Sequence, residues 1–344
     1  MTGGAGTVIR LGAGTAGLVL TGYGLGALTF RGPRQRPARY LLITIWLGLA
    51  GAGLAGFATG GDIGPLLFVV ATIVLLIWWA CITPRQDRDW APDVARQLGV
   101  QRHGDIVELD NVRHFVWRTR QDFTPGWEKR TFNAATIVGV DLAVSYWAGP
   151  NIAHTLVAFA FADGRHLCFS VEVRRLDGEH FSAIGGLFRQ CELVLVAADE
   201  RDILRTRTNI RGEHVHLYRV GLPPGEARAL FHAYLDTAER LQRRPRFYNT
   251  LTANCTTLIY DMVKPIVPGL PWNWRLIVSG RLPSYLYALG ALDTRLSLAE
   301  LRRRGWINAR ALAWDRDAGP SADDFSAAIR RGLPAPEGWP VPPP

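Results

Sequence analysis

The chain has 344 residues, enough for one large domain or two ordinary ones, and its 39 basic and 30 acidic side chains leave a net charge of +9. The positive charge is almost all arginine, Lys129 and Lys264 being the two lysines. No stretch interleaves it densely with stacking aromatics, so nucleic acid is excluded as a partner, whereas phosphate- or carboxylate-bearing partners such as lipid headgroups, or plain surface solubility, fit.

Three apolar stretches open the chain: Leu11–Phe30, Tyr40–Gly60 and Pro65–Ile82. Each approaches the roughly 20 residues that cross a bilayer. The third is uncharged and ends in Trp78 and Trp79, as an interfacial belt would. The second is rich in Gly and Ala, which suits close helix packing in lipid. The first is glycine-rich and lacks a small-residue cleavage site before RGPRQRPAR, so it reads as an anchor rather than a signal peptide. Arg31, Arg34, Arg36 and Arg39 lie between the first two spans, and the positive-inside rule places them, and after three spans the rest of the chain, in the cytoplasm.

From Thr83 the composition is globular. Residues 105–118 alternate apolar and polar side chains as a strand or hairpin does, FTPGWEKR (123–130) reads as a loop, and Thr136–Trp147 as another strand. HTLVAFAF, ADGR and HLCFSVEV form a hairpin. A three-residue Asp163-Gly164-Arg165 loop pairs residues whose numbers sum to 328. One face then carries Thr155, Val157, Phe159, Phe161, Leu167, Phe169, Val171 and Val173; the other carries His154, Leu156, Ala158, Ala160, His166, Cys168, Ser170, Glu172 and Arg174. In this register His154 stands opposite Arg174 and diagonal to Glu172. Residues 192–199 and 213–220 read as strands flanking a polar turn at 207–213. Pro223–Arg244 is an amphipathic helix, LSLAELRRRG a further one, and the Pro-rich end PAPEGWPVPPP a mobile tail. The division expected is a membrane anchor over 1–82, a catalytic domain over 83–293, and a C-terminal helix and tail over 294–344.

Cys81, Cys168, Cys191 and Cys255 form no CxxC pair and no Cys/His ligand spacing, which argues against a disulfide framework and against a metal centre; nothing calls for a cofactor. Cys255 follows Asn254 at the start of a helix, where unpaired N–H groups and the helix dipole favour a thiolate. Leu258, Ile259 and Met262 share its helix face, so it also reads as a small core residue. A thiol nucleophile needs a base and the base an orienter; His154 and Glu172 supply both if the helix packs on their face of the hairpin, and the Cys255 N–H then serves as an oxyanion donor. His166 is a rival orienter. His103, His114, His180, His214, His216 and His232 read as surface or satisfied core residues without partners.

A histidine strand, a hairpin, then Asn-Cys opening a helix about a hundred residues later resembles the circularly permuted papain-like enzymes, including the NlpC/P60 and lecithin:retinol acyltransferase-like groups. More specifically, DRDWAPDVARQ, DFTPGWEKRTF, YWAGPNIAHTLVAFAFADGRHLCFSVEVRR, FRQCELVLVAADERDILRTRTNIRGEHVHLYRV and RPRFYNTLTANCTT resemble the Lnb N-terminal periplasmic domain family over about residues 86–330. The resemblance implies an α+β fold: membrane helices followed by a permuted papain-like (NlpC/P60-like) domain with an antiparallel sheet and a Cys-bearing helix. It implies lipoprotein N-acyltransferase-like chemistry on a membrane lipid or lipoprotein, with Cys255 as the acyl-accepting nucleophile and His154 as base. The residue after Asn-Cys departs from the Glu-His of the retinol acyltransferase group, which limits that analogy to geometry. Arg207, Asn209 and Arg211 suit a phosphate or carboxylate, or a turn held by Arg–Glu pairs; Tyr248 and Asn249 suit the acyl pocket, or packing. A peptidoglycan peptidase or amidase and a non-catalytic scaffold are the alternative functions. The resemblance also implies a periplasmic domain at the inner membrane, against the arginine count, and is given the greater weight.

Overall fold

Residues 3–317, 325–337 and 339 are described by the computed structural model, so positions 338 and 340–344 of the Pro-rich end lie outside the described residues. The chain divides into two compact units: residues 1–87 with 181–192 and 247–250, and residues 88–180 with 193–246 and 251–344.

In the first unit α1 (Gly3–Arg31), α2 (Arg36–Thr59) and α3 (Ile63–Cys81) contain the three spans read from the sequence. All three are long and apolar enough to cross a membrane. Most of their large side chains face outward, as lipid-facing positions do, while Leu28, Trp46, Ala50, Phe68 and Leu75 form a small core between them. Gly24 leaves room for the Trp46 ring, whose indole N–H donates to the Thr21 carbonyl at 3.0 Å. Segment 181–192 packs Phe188 on Phe30, with ring centroids 5.8 Å apart. Arg189 donates to the carbonyls of Trp79 at 2.7 Å and Ile82 at 3.1 Å, satisfying the open end of α3.

The second unit is built on strands β1 (Gly99–His103), β2 (Ile106–Arg113), β3 (Val116–Trp117), β4 (Phe123–Thr124), β5 (Trp127–Asn133), β6 (Ile137–Ala148), β7 (Ile152–Phe161), β8 (His166–Arg174), β9 (Glu192–Ala198) and, after the short helix α4 (Glu200–Arg205), β10 (His214–Val220). The main sheet has the order β1-β2-β9-β8-β7-β6-β10, with β5 also on β2. FTPGWEKR is therefore more strand than loop: Trp127–Arg130 belong to β5, because alternation continues through Phe132 and pairs with β2. The expected polar turn at 207–213 is mostly helical. α4 runs on as a π-helical turn, Thr206–Ile210, in which the Thr206 hydroxyl donates to the Asp202 carbonyl at 2.6 Å.

Two layers cover the sheet. On one face α5 (Pro224–Arg243) lays Phe231 and Tyr234 against Phe159 and Phe169, mostly edge-to-face. On the other, Leu156, Ala158, Cys168, Val194 and Val196 pack with Ile203 and Leu204 of α4 and with side chains of α9 (Asn308–Asp317) and α10 (Phe325–Arg330). Between α5 and α9 the chain forms α6 (Cys255–Val263), α7 (Leu282–Ala288) and α8 (Leu298–Gly305).

The hairpin differs from the expectation in register but not in facing. Val157 pairs with Phe169 and Ala160 with His166, so paired numbers sum to 326 rather than 328. The three-residue loop is displaced by one residue, to 162–164, because the Phe161 N–H bonds the Arg165 carbonyl and Gly164 takes φ +83. A shift of two residues keeps each side chain on its face. It moves Arg174 away from His154, though: the guanidinium lies over Trp90 and donates to the carbonyls of Val94 and Ala95.

Candidate active site

α6 begins where the chemistry of its first turn dictates. Asn254 is extended, and its side-chain oxygen accepts from the N–H groups of Thr256 and Thr257 at 2.9 Å each. The Thr257 hydroxyl accepts from the Asn254 N–H at 3.0 Å, closing a capping box. Cys255 is the first helical residue and is buried with Thr256, Leu258 and Met262; Ile259, expected on the same face, is only half-buried.

Cys255 Sγ lies 3.8 Å from the Thr256 hydroxyl, and the groups of His154 and Thr155 are the ones that stabilise its thiolate. The β7–β8 ladder stops at Leu156–Ser170, one residue from Thr155 and two from His154. His154 Nε2 lies 2.6 Å from Ser170 Oγ and 3.2 Å from Glu172 Oε1. Ser170 Oγ donates to the same carboxylate oxygen at 2.6 Å, so it accepts from Nε2–H and leaves Nδ1 for the thiol. Arg207 closes the chain: Nη2 lies 2.9 Å from Glu172 and Nη1 3.2 Å from Glu213, which in turn accepts from Ser145 on β6. The row Cys255, His154, Ser170/Glu172, Arg207, Glu213 is thus a run of alternating donors and acceptors carried by α6, β7, β8, the π turn and the residue before β10.

The electrostatics follow from that row. Burial pushes the Cys255 thiol up, but the His154 imidazolium, its hydrogen bond and those from Thr155 bring it down to about 7. Burial pushes His154 down, yet the Glu172 carboxylate and the thiolate outweigh it and Arg207, raising the imidazole to about 9. Burial alone would raise Glu172; His154, Arg207 and Ser170 instead hold it well below the usual carboxylate range. A thiolate–imidazolium pair is therefore the favoured state between about 7 and about 9. Cys168 is the contrast: equally buried, with no such donors, its thiol is pushed well above the ordinary value by burial.

The other residues singled out in the sequence divide. Arg207 enters the row through Glu172. Arg211 stands 3.7 Å from Glu213. Asn209 turns away, donating to the Ala311 carbonyl at 3.0 Å and to Asp315 at 2.6 Å. Tyr248 and Asn249 belong to the first unit, where Tyr248 packs edge-on against Phe181. His166 is not beside His154; it lies at the start of β8, and burial and then Arg330 lower it. His114, read as lacking partners, sits 3.6 Å from Asp199 and 2.8 Å from Arg201. His216 is buried, its Nδ1 2.9 Å from the Arg302 carbonyl, and burial lowers it to about 4. Among the described residues no group of three His, Cys, Asp or Glu side chains could hold a metal. Ser170 and Glu213 of the row, and Thr155 beside it, were not singled out in the sequence. Ser170 was findable, two residues before Glu172 on the same strand face. Thr155 and Glu213 were not, since their roles arise where a ladder ends and where a turn folds back.

Three apolar helices followed by an α+β domain with a Cys–His–carboxylate row at a helix start define a membrane-anchored protein with a thiol-bearing domain. Residues 123–280 match the family described as the Lnb N-terminal periplasmic domain, and this region carries His154, Ser170, Glu172, Arg207 and Cys255. The match is shorter than the resemblance read over 86–330. With the three apolar helices it fits an inner-membrane protein with a periplasmic domain, the side the resemblance implied rather than the one the four arginines favour. No curated protein and no solved structure matches the chain.

Proposed function

We propose that the protein is a membrane-anchored thiol acyltransferase that takes a fatty acyl chain from a lipid ester or lipoprotein onto Cys255 and passes it to an acceptor amine. One observation carries the reading: a buried thiol at a capped helix start, brought down to about 7 by a histidine that a buried carboxylate 3.2 Å away raises to about 9. In the first half-reaction the Cys255 thiolate attacks the ester carbonyl carbon. Asn254 already occupies the N–H groups of Thr256 and Thr257, so the N–H of Cys255 itself is the donor placed for the developing oxyanion. Collapse breaks the C–O bond; the departing alkoxide takes the proton of the His154 imidazolium, leaving a thioester and neutral imidazole. In the second half the amine attacks the thioester, His154 takes its proton, and the C–S bond breaks to give an amide and regenerate the ion pair. Glu172, oriented by Ser170 and Arg207, holds the imidazole throughout.

This permuted papain-like reading is also compatible with an NlpC/P60-type peptidase or amidase, in which the first attack falls on an amide. The membrane helices support a lipid ester as donor, because they confine the domain to the surface where such esters lie. The test is acyl release from phospholipid and from peptidoglycan fragments by the full chain and by Cys255→Ala and His154→Ala. Ester turnover lost in both variants, with fragments uncleaved throughout, is expected. Undiminished turnover in the variants would end both enzymatic readings.

A further inference from the structure

The aromatic segment between α6 and α7 is used by none of the chemistry above, and it is built as a rigid rim. Asn273 caps its short 3₁₀ turn by accepting from the Arg275 N–H at 3.0 Å, and the Tyr285 hydroxyl donates to the Pro271 carbonyl at 2.7 Å. The segment is docked on the β6–β7 turn at several points. Tyr146 Oη donates to the Gly280 carbonyl at 2.9 Å, the Gly280 N–H to the Asn151 carbonyl at 3.1 Å, and Arg281 Nε to Asn151 Oδ1 at 2.7 Å. The Ala153 N–H donates to Ser279 Oγ at 3.1 Å, and that hydroxyl returns a bond to the Ala153 carbonyl at 2.6 Å. Ala153 immediately precedes His154.

These bonds hold large apolar side chains outward. Trp272 is 64 % exposed, Trp274 54 %, Ile152 50 %, Trp147 49 % and Ile277 38 %. Three exposed tryptophans and two isoleucines on two segments bonded to each other are more than the scattered single apolar residues of an ordinary surface. Along these two segments the charge has one sign. Lys264 and Arg281 are exposed, Arg275 lies beside the Trp274 ring, and no Asp or Glu occurs from Met262 to Leu292 or from Leu142 to Ala162. Tryptophan with basic side chains and without acids is the composition of the bilayer interface, where the indole sits at headgroup depth and arginine meets phosphate.

We propose that this rim, Trp147, Ile152, Trp272, Trp274 and Ile277 with Lys264, Arg275 and Arg281, is a docking surface that seats the second unit on an anionic phospholipid bilayer. The chain's own helices supply the bilayer. The proposal stands apart from the chemistry of Cys255, although the hydrogen bonds from Ser279 to Ala153 mean that such docking would fix the strand end that carries His154.

The experiment places a photoreactive p-benzoylphenylalanine at position 272 or 274 of the full chain, with position 303, on an exposed arginine of α8, as control. The chain is reconstituted in nanodiscs of phosphatidylethanolamine and phosphatidylglycerol and irradiated. Adducts of phospholipid mass at 272 and 274, at least about fivefold above position 303, are expected for side chains at headgroup depth. Combined Arg275→Gln and Arg281→Gln substitution, or replacement of phosphatidylglycerol by phosphatidylcholine, should lower the yield roughly tenfold, as loss of two basic contacts with an anionic surface predicts. Lipid adducts no more frequent than at position 303 would overturn the proposal. So would cross-linking at 272 or 274 to a second copy of the chain in place of lipid. Acyl release measured on the same samples separates either result from failure of the acyltransferase reading.

Discussion

Glu172→Gln removes the charge on which the candidate site turns while preserving the shape of the side chain. The carboxylate oxygen lies 3.2 Å from His154 Nε2; at an effective dielectric of about 20 a charge at that distance is worth about 5 kcal/mol to the imidazolium. Burial and Arg207 act against it, and the net rise of His154 from 6.5 to about 9 corresponds to roughly 3 kcal/mol. Without the carboxylate, burial and Arg207 are opposed by the thiolate alone, so the imidazole falls well below about 9 and the ion pair is weakened at pH 7. The thiol then loses its cation, and burial returns it from about 7 to at least the free-thiol value of ~8.5. The assay is iodoacetamide alkylation read by mass spectrometry on the peptide carrying Cys255, as a function of pH. The midpoint is the quantity to follow, because a more basic thiolate is also more nucleophilic and the rate at a single pH understates the change. The midpoint should move from about 7 to above ~8.5. A midpoint still near 7 in a folded Gln variant would refute the coupling of Glu172 to the thiol.

Further expectations follow from the same contacts. Alkylation at pH 7 should reach Cys255 and spare Cys168, whose thiol burial holds well above the ordinary range; equal labelling of the two peptides would contradict the role of His154. Arg330 on α10 meets Glu200 through two bonds of 2.6 and 2.7 Å and Asp141 at 2.7 Å, all buried, so Arg330→Ala should destabilise the domain by roughly 3–5 kcal/mol in chemical denaturation. Asn254→Ala should lower stability by about 1 kcal/mol through loss of the cap, and an unchanged denaturation midpoint would show that the capping box contributes nothing. Substrate turnover should follow the ion pair, rising as the thiol ionises near 7 and falling as the imidazolium is lost near 9; a profile that climbs steadily past 9 would mean that the imidazolium proton is not required.

What the sequence discloses about this site depends on parity more than on register. Placing His154 and Glu172 on one face required only that Phe159 and Phe169 be buried on the other, and a pairing displaced by two residues left that intact. The opposite partner of His154 was not recoverable, since it depends on the bond from Phe161 N–H to the Arg165 carbonyl, which moves the three-residue loop by one position. The start of α6 was legible because an Asn before a helical run is a cap whatever surrounds it. The π turn at 206–210 was not, because its residues read as polar loop until Arg207 is given two buried carboxylates to bridge. Nor does any local pattern announce that 181–192 and 247–250 group with the membrane helices; aromatic packing such as Phe188 on Phe30 decides it.

The central claim is that Cys255 carries the acyl chain. Intact-mass analysis of the full chain after incubation with a phospholipid of defined acyl length tests it most directly, with digestion to locate the adduct and hydroxylamine to cleave thioesters. The account predicts a gain of one acyl chain, on the Cys255 peptide, removed by hydroxylamine and absent from Cys255→Ala and His154→Ala. Phospholipid consumed with no adduct on Cys255, or an adduct that persists in the His154→Ala protein at the parent's rate, would contradict it.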